Sequence, residues 1–331
     1  MDGLKQAIIN MARANMGLRD GESLLVVADV PGIAQWAGDQ GVLDDIIARA
    51  AFAREAHAIL RGGLPGKVDF AAFYATGMPG TEPPQEVAAL LRRYDVSVVM
   101  TTYSLSHTDA REGASAAGRR IASMPGIERQ MFASGGPMAA DYAAVGRDSE
   151  RIARLLTEGA DVRIETDAGT DIAFSIAGRA GEADTGIFTQ KGDWGNLPAG
   201  EAYVAPVEGT ANGALVVEAG WYPGLGADMR LVFKDGLVAE VSGGGDVGGR
   251  FRRALFEEGA PHRRSLAELG IGTNPLAKRT DNVLEAEKIK GTVHIAIGDN
   301  AHMGGVNASD MHEDFVLRGP RLIVDGAPVG L

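Results

Sequence analysis

Two short segments near the C-terminus, His294-Ile295-Ala296-Ile297-Gly298 and His312-Glu313-Asp314, carry the residue types that bind metal ions. They lie in a stretch, 294–317, that holds three of the chain's six histidines and four acidic residues. Read as a strand, 292–297 alternates its side chains with period 2, so His294 shares a face with Thr292 and Ala296 while Val293, Ile295 and Ile297 take the other. The small neighbours leave room beside the imidazole. The same rule puts His312 and Asp314 on one face, with Glu313 pointing away. If the two strands are neighbours, His294, His312 and Asp314 form a two-histidine, one-carboxylate set, the facial arrangement that leaves positions open on Fe(II) and related ions. Spacing alone leaves a structural alternative open, in which His-x-Asp arises by chance and His294 is a hydrogen-bonded core histidine. The chain has no cysteine, so thiolate ligands, disulfides and a cysteine nucleophile are excluded.

The elements that must position these residues fall into two textures. At 331 residues the chain exceeds the usual single core, which implies two domains. In the first half, ESLLVVADV at 22–30, KVDFAAFYA at 67–75 and VSVVMTTY at 96–103 read as strands, with helices over 31–56 and 86–93 and a further short strand at Ala56–Arg61. The N-terminal segment reads as an amphipathic helix burying Leu4, Ile8, Met11 and Met16. This βαβα rhythm predicts an α/β domain with a mainly parallel sheet over 1–145. After a helix around 148–159, short alternating segments punctuated by Asp235-Gly236 and Asp325-Gly326 predict an α+β domain of antiparallel strands over 146–331, carrying the metal site.

Gly243, Gly245 and Gly248 satisfy the dinucleotide pattern G-x-G-x-x-G, with Glu268 about 20 residues further on. The preceding strand, 237–241, is the return arm of a hairpin rather than the opening strand of a parallel unit, so the segment reads as a strand-to-helix turn.

The order Glu201, Glu268, His294, His312, Asp314 resembles that of the metallopeptidases of the aminopeptidase T and leucyl aminopeptidase type, and especially their shorter relatives, the 2,5-dihydroxypyridine 5,6-dioxygenases. His294 to Gly298 is similar to the family's His-x-Ala-x-Gly, His312 to Asp314 to its His-x-Asp, Asn196 to Glu201 to its Asn-x-Pro-x-x-Glu, and Ala267-Glu268-Leu269 to the stretch with its second glutamate. The resemblance is clearest from about residue 193 onward. It implies that His294, His312, Asp314, Glu201 and Glu268 are metal ligands, with Glu201 or Glu268 as a general base if not a ligand. The peptidases carry a tyrosine seven residues after the first histidine; here position 301 is alanine, and the adjacent His302 is the candidate replacement.

Ser104-Leu-Ser-His-Thr-Asp-Ala-Arg111 follows a strand and opens a helix, which places His107 at the carboxyl end of a parallel strand, where open α/β sheets bind ligands. Ser106 with Asp109 reads as a capping box. The segment resembles the Ser-His-Thr stretch of the dioxygenase-like relatives, which implies an acid/base or substrate-orienting role for His107. Arg111, one turn later, is the candidate for holding a substrate carboxylate or phenolate.

Three functions follow as expectations. The first is a mononuclear Fe(II) dioxygenase opening a hydroxylated N-heterocycle. The second is a metalloaminopeptidase with two Zn, Co or Mn ions. The third is a non-catalytic binding module on the same fold. A net charge of −12, with basic clusters that are isolated pairs, Arg92-Arg93, Arg119-Arg120 and Arg252-Arg253, argues against nucleic acid as a partner. No run approaches about 20 apolar residues, so no transmembrane helix and a cytoplasmic location are expected. The remaining expectations are a small-molecule substrate and, from the resemblance, a homo-oligomer.

Overall fold

The computed structural model describes residues 3–257 and 260–331. It divides into two compact units, the chain up to Tyr142 with Gly186–Ala199, and Ala143–Thr185 with Gly200–Leu331.

In the first unit the apolar runs become β1 (Leu24–Val30), β2 (Val68–Tyr74), β3 (Val96–Met100) and β4 (Arg120–Ser123), all mutually parallel where they pair. Strands β1 and β3 are buried over almost every residue, so LLVVADV and VSVVM are continuous rather than alternating apolar runs. Helices α1 (Gly3–Asn10), α2 (Ile33–Trp36), α3 (Gln40–Gly63), α4 (Gln85–Arg93) and α5 (Asp109–Ala116) accompany them. Leu4, Ile8, Met11 and Met16 are buried, as the amphipathic reading requires. The short strand expected at Ala56–Arg61 is instead the last part of α3. Ala53, Ala56, His57 and Leu60 recur at helical spacing and all are buried, so that one face keeps the helix running.

The chain then enters the second unit through α6 (Tyr142–Glu158), β5 (Asp161–Glu165), β6 (Asp171–Ser175) and β7 (Glu182–Asp184). It returns over 186–199 to lay β8 (Trp194–Asn196) parallel to β4, completing the order β2-β1-β3-β4-β8. A single division near residue 145 therefore omits one crossing of the chain.

The rest of the second unit comprises β9 (Glu201–Val204), β10 (Asn212–Val217), β11 (Met229–Lys234), β12 (Leu237–Gly243), α7 (Gly245–Arg252), β13 (Leu266–Gly272), α8 (Val283–Ala286), β14 (Val293–Gly298), β15 (His312–Leu317), β16 (Arg321–Val324) and β17 (Ala327–Pro328). They form two antiparallel sheets, β12-β11-β10-β6-β5-β16-β17 and β15-β14-β13-β9-β7. One buried cluster takes Ile164, Leu215 and Leu231 from the first sheet and Ile271, Ile295 and Phe315 from the second. The fold is thus a parallel α/β unit and an antiparallel α+β unit, as the sequence texture implies. Both Asp-Gly pairs sit in hairpin turns with positive φ, at 49° and 81° for Asp235-Gly236 and 50° and 77° for Asp325-Gly326. The triple glycine 243–245 links β12 to α7 off an antiparallel hairpin, so the dinucleotide context is absent. Among the described residues no helix is long and apolar enough to cross a membrane.

Candidate metal centre

The five-stranded sheet concentrates ionisable groups on one face. In its register Asp184 lies opposite Glu201, Glu201 opposite Gly272, His294 opposite Gly270, Glu268 opposite Ala296, Ala296 opposite Asp314, and Gly298 opposite His312. Residues directly opposite share a face, so every strand of the sheet delivers at least one carboxylate or imidazole to the same side. The other side carries Ala202, Leu269, Ile271, Val293, Ile295, Ile297, Phe315 and Leu317 into the core. A register shift between Leu266 and Glu268 sets the phase in β13, sending Leu266 to the core side and Glu268 to the ionisable side. Glu313 points away and accepts a hydrogen bond from Tyr222 Oη at 2.8 Å. Tyr222 lines a cavity of about 280 Å³ with Arg250, Phe251, Arg263 and Glu313, on the reverse side from the donors.

The donors sort into two groups, Glu201–Glu287–His294 and Glu268–His312–Asp314, each with its ligand atoms within 4.8 Å of one another. Glu268 links them, with Oε1 3.3 Å from His294 Nε2 and Oε2 3.1 Å from His312 Nε2. His294 Nε2 also lies 3.3 Å from Glu201 Oε2, and His312 Nε2 lies 3.6 Å from Asp314 Oδ1. The three residues of the expected facial set are therefore on one face, but Glu268 stands between the two histidines. His312 Nδ1 is 2.7 Å from the Asp299 carbonyl, which can only accept, so Nδ1 carries the proton and Nε2 is presented to the site.

Buried carboxylates dominate the electrostatics. Burial alone would push the His294 imidazolium down, but the hydrogen bond to Glu268 and the charges of Glu201, Glu268 and Asp314 lift it to about 9. For His312, Asp314 and Glu268 likewise outweigh burial and hold the proton well above the usual range. Burial would raise Glu268, yet its hydrogen bonds and charge pairing with both histidines keep it well below the carboxylate range. Burial pushes Glu287 up to about 8, with Lys288 opposing and Glu201 and Asp314 reinforcing. Two of these acids keep an orphaned oxygen: Glu201 Oε2 and Asp314 Oδ1 are buried with no hydrogen-bond partner. A buried carboxylate oxygen with nothing to accept is costly, and imidazole and carboxylate donors at this separation suit a divalent cation.

Two glycines make the arrangement sterically possible. A Cβ at Gly270 would fall 1.9 Å from His294 Nε2, and one at Gly272 would fall 2.1 Å from the Ile289 carbonyl oxygen. The first lets the His294 ring lie across β13. The second admits the backbone that carries Glu287 and Lys288, neither of which strand patterning singles out. Lys288 is fully buried, with Nζ 2.5 Å from Glu201 Oε1, 2.8 Å from Glu287 Oε1 and 4.0 Å from Asp184 Oδ2.

His302 stands on Asp299, with Nδ1 2.6 Å from Oδ2, and its ring meets that of His312 edge-on at 5.6 Å. In the first unit, exposed His107 precedes the true helix cap, Thr108, whose hydroxyl accepts from Arg111 N at 3.3 Å. Ser106 does not cap; its hydroxyl bonds Ser123 Oγ at 2.9 Å and Asn196 Oδ1 at 3.1 Å. Arg111 is buried, donates from Nε to the Ser106 carbonyl at 2.6 Å and stacks over Trp194 at 3.7 Å. His107 meets the same indole edge-on at 5.8 Å.

A parallel α/β unit and an antiparallel α+β unit make up a fold shared with two solved structures. The fold matches 2,5-dihydroxypyridine dioxygenase from Pseudomonas putida KT2440 with a TM-score of 0.75 and 18% identity, covering 99% of this chain and 95% of that one. It matches AmpT from Thermus thermophilus with a TM-score of 0.64 and 17% identity, covering 99% and 96%. The family model for 2,5-dihydroxypyridine 5,6-dioxygenase (NicX) matches residues 66–330, and the chain belongs to that family of enzymes. The curated 2,5-dihydroxypyridine 5,6-dioxygenase of P. putida KT2440 is 23% identical over 197 residues, a match spanning 54% of each chain, about half the relative's length.

Proposed function

We propose that the chain is a mononuclear Fe(II) dioxygenase that opens a hydroxylated N-heterocycle of the dihydroxypyridine kind, with His294, His312 and Asp314 holding the iron beside Glu268. The observation that carries this reading is the pair of orphaned carboxylate oxygens, Glu201 Oε2 and Asp314 Oδ1, on a face where two imidazoles already converge on Glu268. Family membership supports the ring-opening chemistry and counts against a non-catalytic module. When bound, the iron would supply the redox-active centre that ring opening by dioxygen requires. The chain's part is to orient His312 through the Asp299 carbonyl, to span the two imidazoles with Glu268, and to tie Glu201 to Lys288. That contact ties Glu201 to the buried lysine rather than leaving it as the proposed base. His302 is proposed as a proton carrier beside His312. His107 is proposed as a second one, and H107Q is expected to lower turnover with metal content unchanged.

The two overlapping donor groups favour one other reading, a dinuclear Zn, Co or Mn aminopeptidase. Alanine at 301, where the peptidases carry tyrosine, counts against it. The discriminating experiment is elemental analysis of tag-free protein purified anaerobically, followed by oxygen uptake with 2,5-dihydroxypyridine and hydrolysis of aminoacyl anilides. About one iron per chain with oxygen uptake supports the dioxygenase. About two ions with hydrolysis replaces it.

A further inference from the structure

We infer that the Lys288 ammonium is the built-in cation of Glu201 and Glu287, so that the chain takes one divalent ion, held by Glu268, His312 and Asp314 together with His294. The inference deepens the mononuclear reading above and rests on it. In its favour, Lys288 Nζ takes up Glu201 Oε1 at 2.5 Å and Glu287 Oε1 at 2.8 Å, two of the three residues that would otherwise hold a second ion. Asp184, the next carboxylate on the face, lies 4.0 Å from the same nitrogen. The ammonium has no retreat. Lys288 is fully buried, its carbonyl accepts from Asn274 N at 2.9 Å, and its backbone passes over β13 at Gly272, where a Cβ would fall 2.8 Å from the Lys288 carbonyl carbon.

An ion coordinated by Glu201 and Glu287 would have to sit in contact with this positive charge, among buried side chains where the repulsion is little screened. The orphaned oxygen of Glu201 faces His294, away from the lysine, whereas the other group has no fixed cation among the described residues and keeps its own orphan at Asp314. Glu268 then needs to serve only one metal, between the two imidazoles that its oxygens face. A covalently tethered monovalent charge thus stands where a second exchangeable divalent ion would be.

The test is calorimetric titration of chelator-stripped full-length protein with Mn²⁺. The wild type is expected to bind about one ion per chain, Lys288→Met about two, and Lys288→Arg, which restores the charge, about one. Two ions in the wild type, or one in a K288M variant that melts cooperatively, would overturn the inference. Should K288M fail to fold, Glu287→Gln decides: it is expected to keep the single ion with affinity within about threefold, and its loss would place the metal in the lysine's group instead. The functional reading fails separately. Wild type with one ion and no oxygen uptake on dihydroxypyridines would remove the dioxygenase assignment and leave the role of Lys288 standing, whereas turnover in a K288M protein that still binds one ion would do the reverse.

Discussion

Replacing Gly270 with alanine is expected to disable the metal centre without touching a ligand. The added methyl would lie 1.9 Å from His294 Nε2, 2.1 Å from Cε1 and 2.7 Å from Cδ2. Restoring an ordinary contact of about 3.4 Å requires the ring to move by about 1.5 Å, because β13 is held on both sides by β14 and β9 and cannot withdraw. Metal–ligand distances tolerate only about 0.2 Å, so a displaced His294 leaves the donor set. Losing the support of a ligating histidine costs about 10–100-fold in affinity; displacing the histidine itself should cost at least about 100-fold, or about 2.7 kcal/mol. Overpacking the buried strand should lower unfolding free energy by about 1–3 kcal/mol as well. The assay pairs Mn²⁺ titration with urea unfolding of the metal-free protein, and uses Gly62→Ala as control, a helical position in α3 with nothing within 4 Å of the new methyl. A folded G270A protein that binds Mn²⁺ as tightly as the wild type would refute the claim that β13 is kept bare for the His294 ring.

Four further outcomes are expected. His312→Ala should lose the metal while the second unit stays folded, and a variant that purifies with full metal content would remove His312 from the ligand set. In the metal-free protein His294 titrates at about 9 against 6.5 unfolded, and Glu287 at about 8 against 4.5. Both groups bind protons more tightly when folded, so their contribution is complete below the unfolded values and is lost as pH rises through about 8 to 9; stability should fall across that interval. Because a ligating imidazole must be neutral, Mn²⁺ uptake at pH 7 should release protons, and calorimetry giving the same heat in buffers of different ionisation enthalpy would contradict this. Tyr222→Phe should cost about 1–2 kcal/mol in urea unfolding by leaving the half-buried Glu313 carboxylate without its donor. Metal content should not change, since Glu313 lies on the reverse side of β15, and a drop in metal content would show the two sides to be coupled.

The strand-borne half of this site is legible in sequence because a strand has one simple rule. Period-2 alternation in Val293–Gly298 and His312–Leu317 is enough to place His294, His312 and Asp314 on one side and Ile295 and Glu313 on the other. Glu201 and Glu268 carry weaker signals: each sits in a short apolar stretch, and a register shift sets the phase of Glu268, so its face emerges only with the pairing to β14. Glu287 and Lys288 follow the single-turn helix α8, their amides donating to the Val283 and Glu285 carbonyls, and the Lys288 carbonyl accepts from Asn274 N, a contact between loops that no periodicity encodes. The same limit explains Ala56–Arg61, where a short apolar run fits a strand and a helix equally until the burial of Ala53 and His57 extends one helical stripe. It also explains β8, whose three residues, Trp194-Gly195-Asn196, become a strand only because β4 offers a free parallel edge.

The crossing of the chain at 186–199 has a consequence for biosynthesis. Strand β4 ends at Ser123 and its outer neighbour begins at Trp194, so the parallel sheet leaves the ribosome lacking one margin. At roughly 5–20 residues per second, the intervening stretch of about seventy residues takes on the order of 4–15 s to synthesise. During that interval β4 presents unpaired amides, and Ser106 lacks its bond to Asn196. The first unit is therefore not a module that a stop codon near residue 145 could release intact. Its completion is timed by the emergence of the second unit's opening strands, and a truncated product would carry an adhesive sheet margin and a helix α5 whose Arg111 has no indole to rest on.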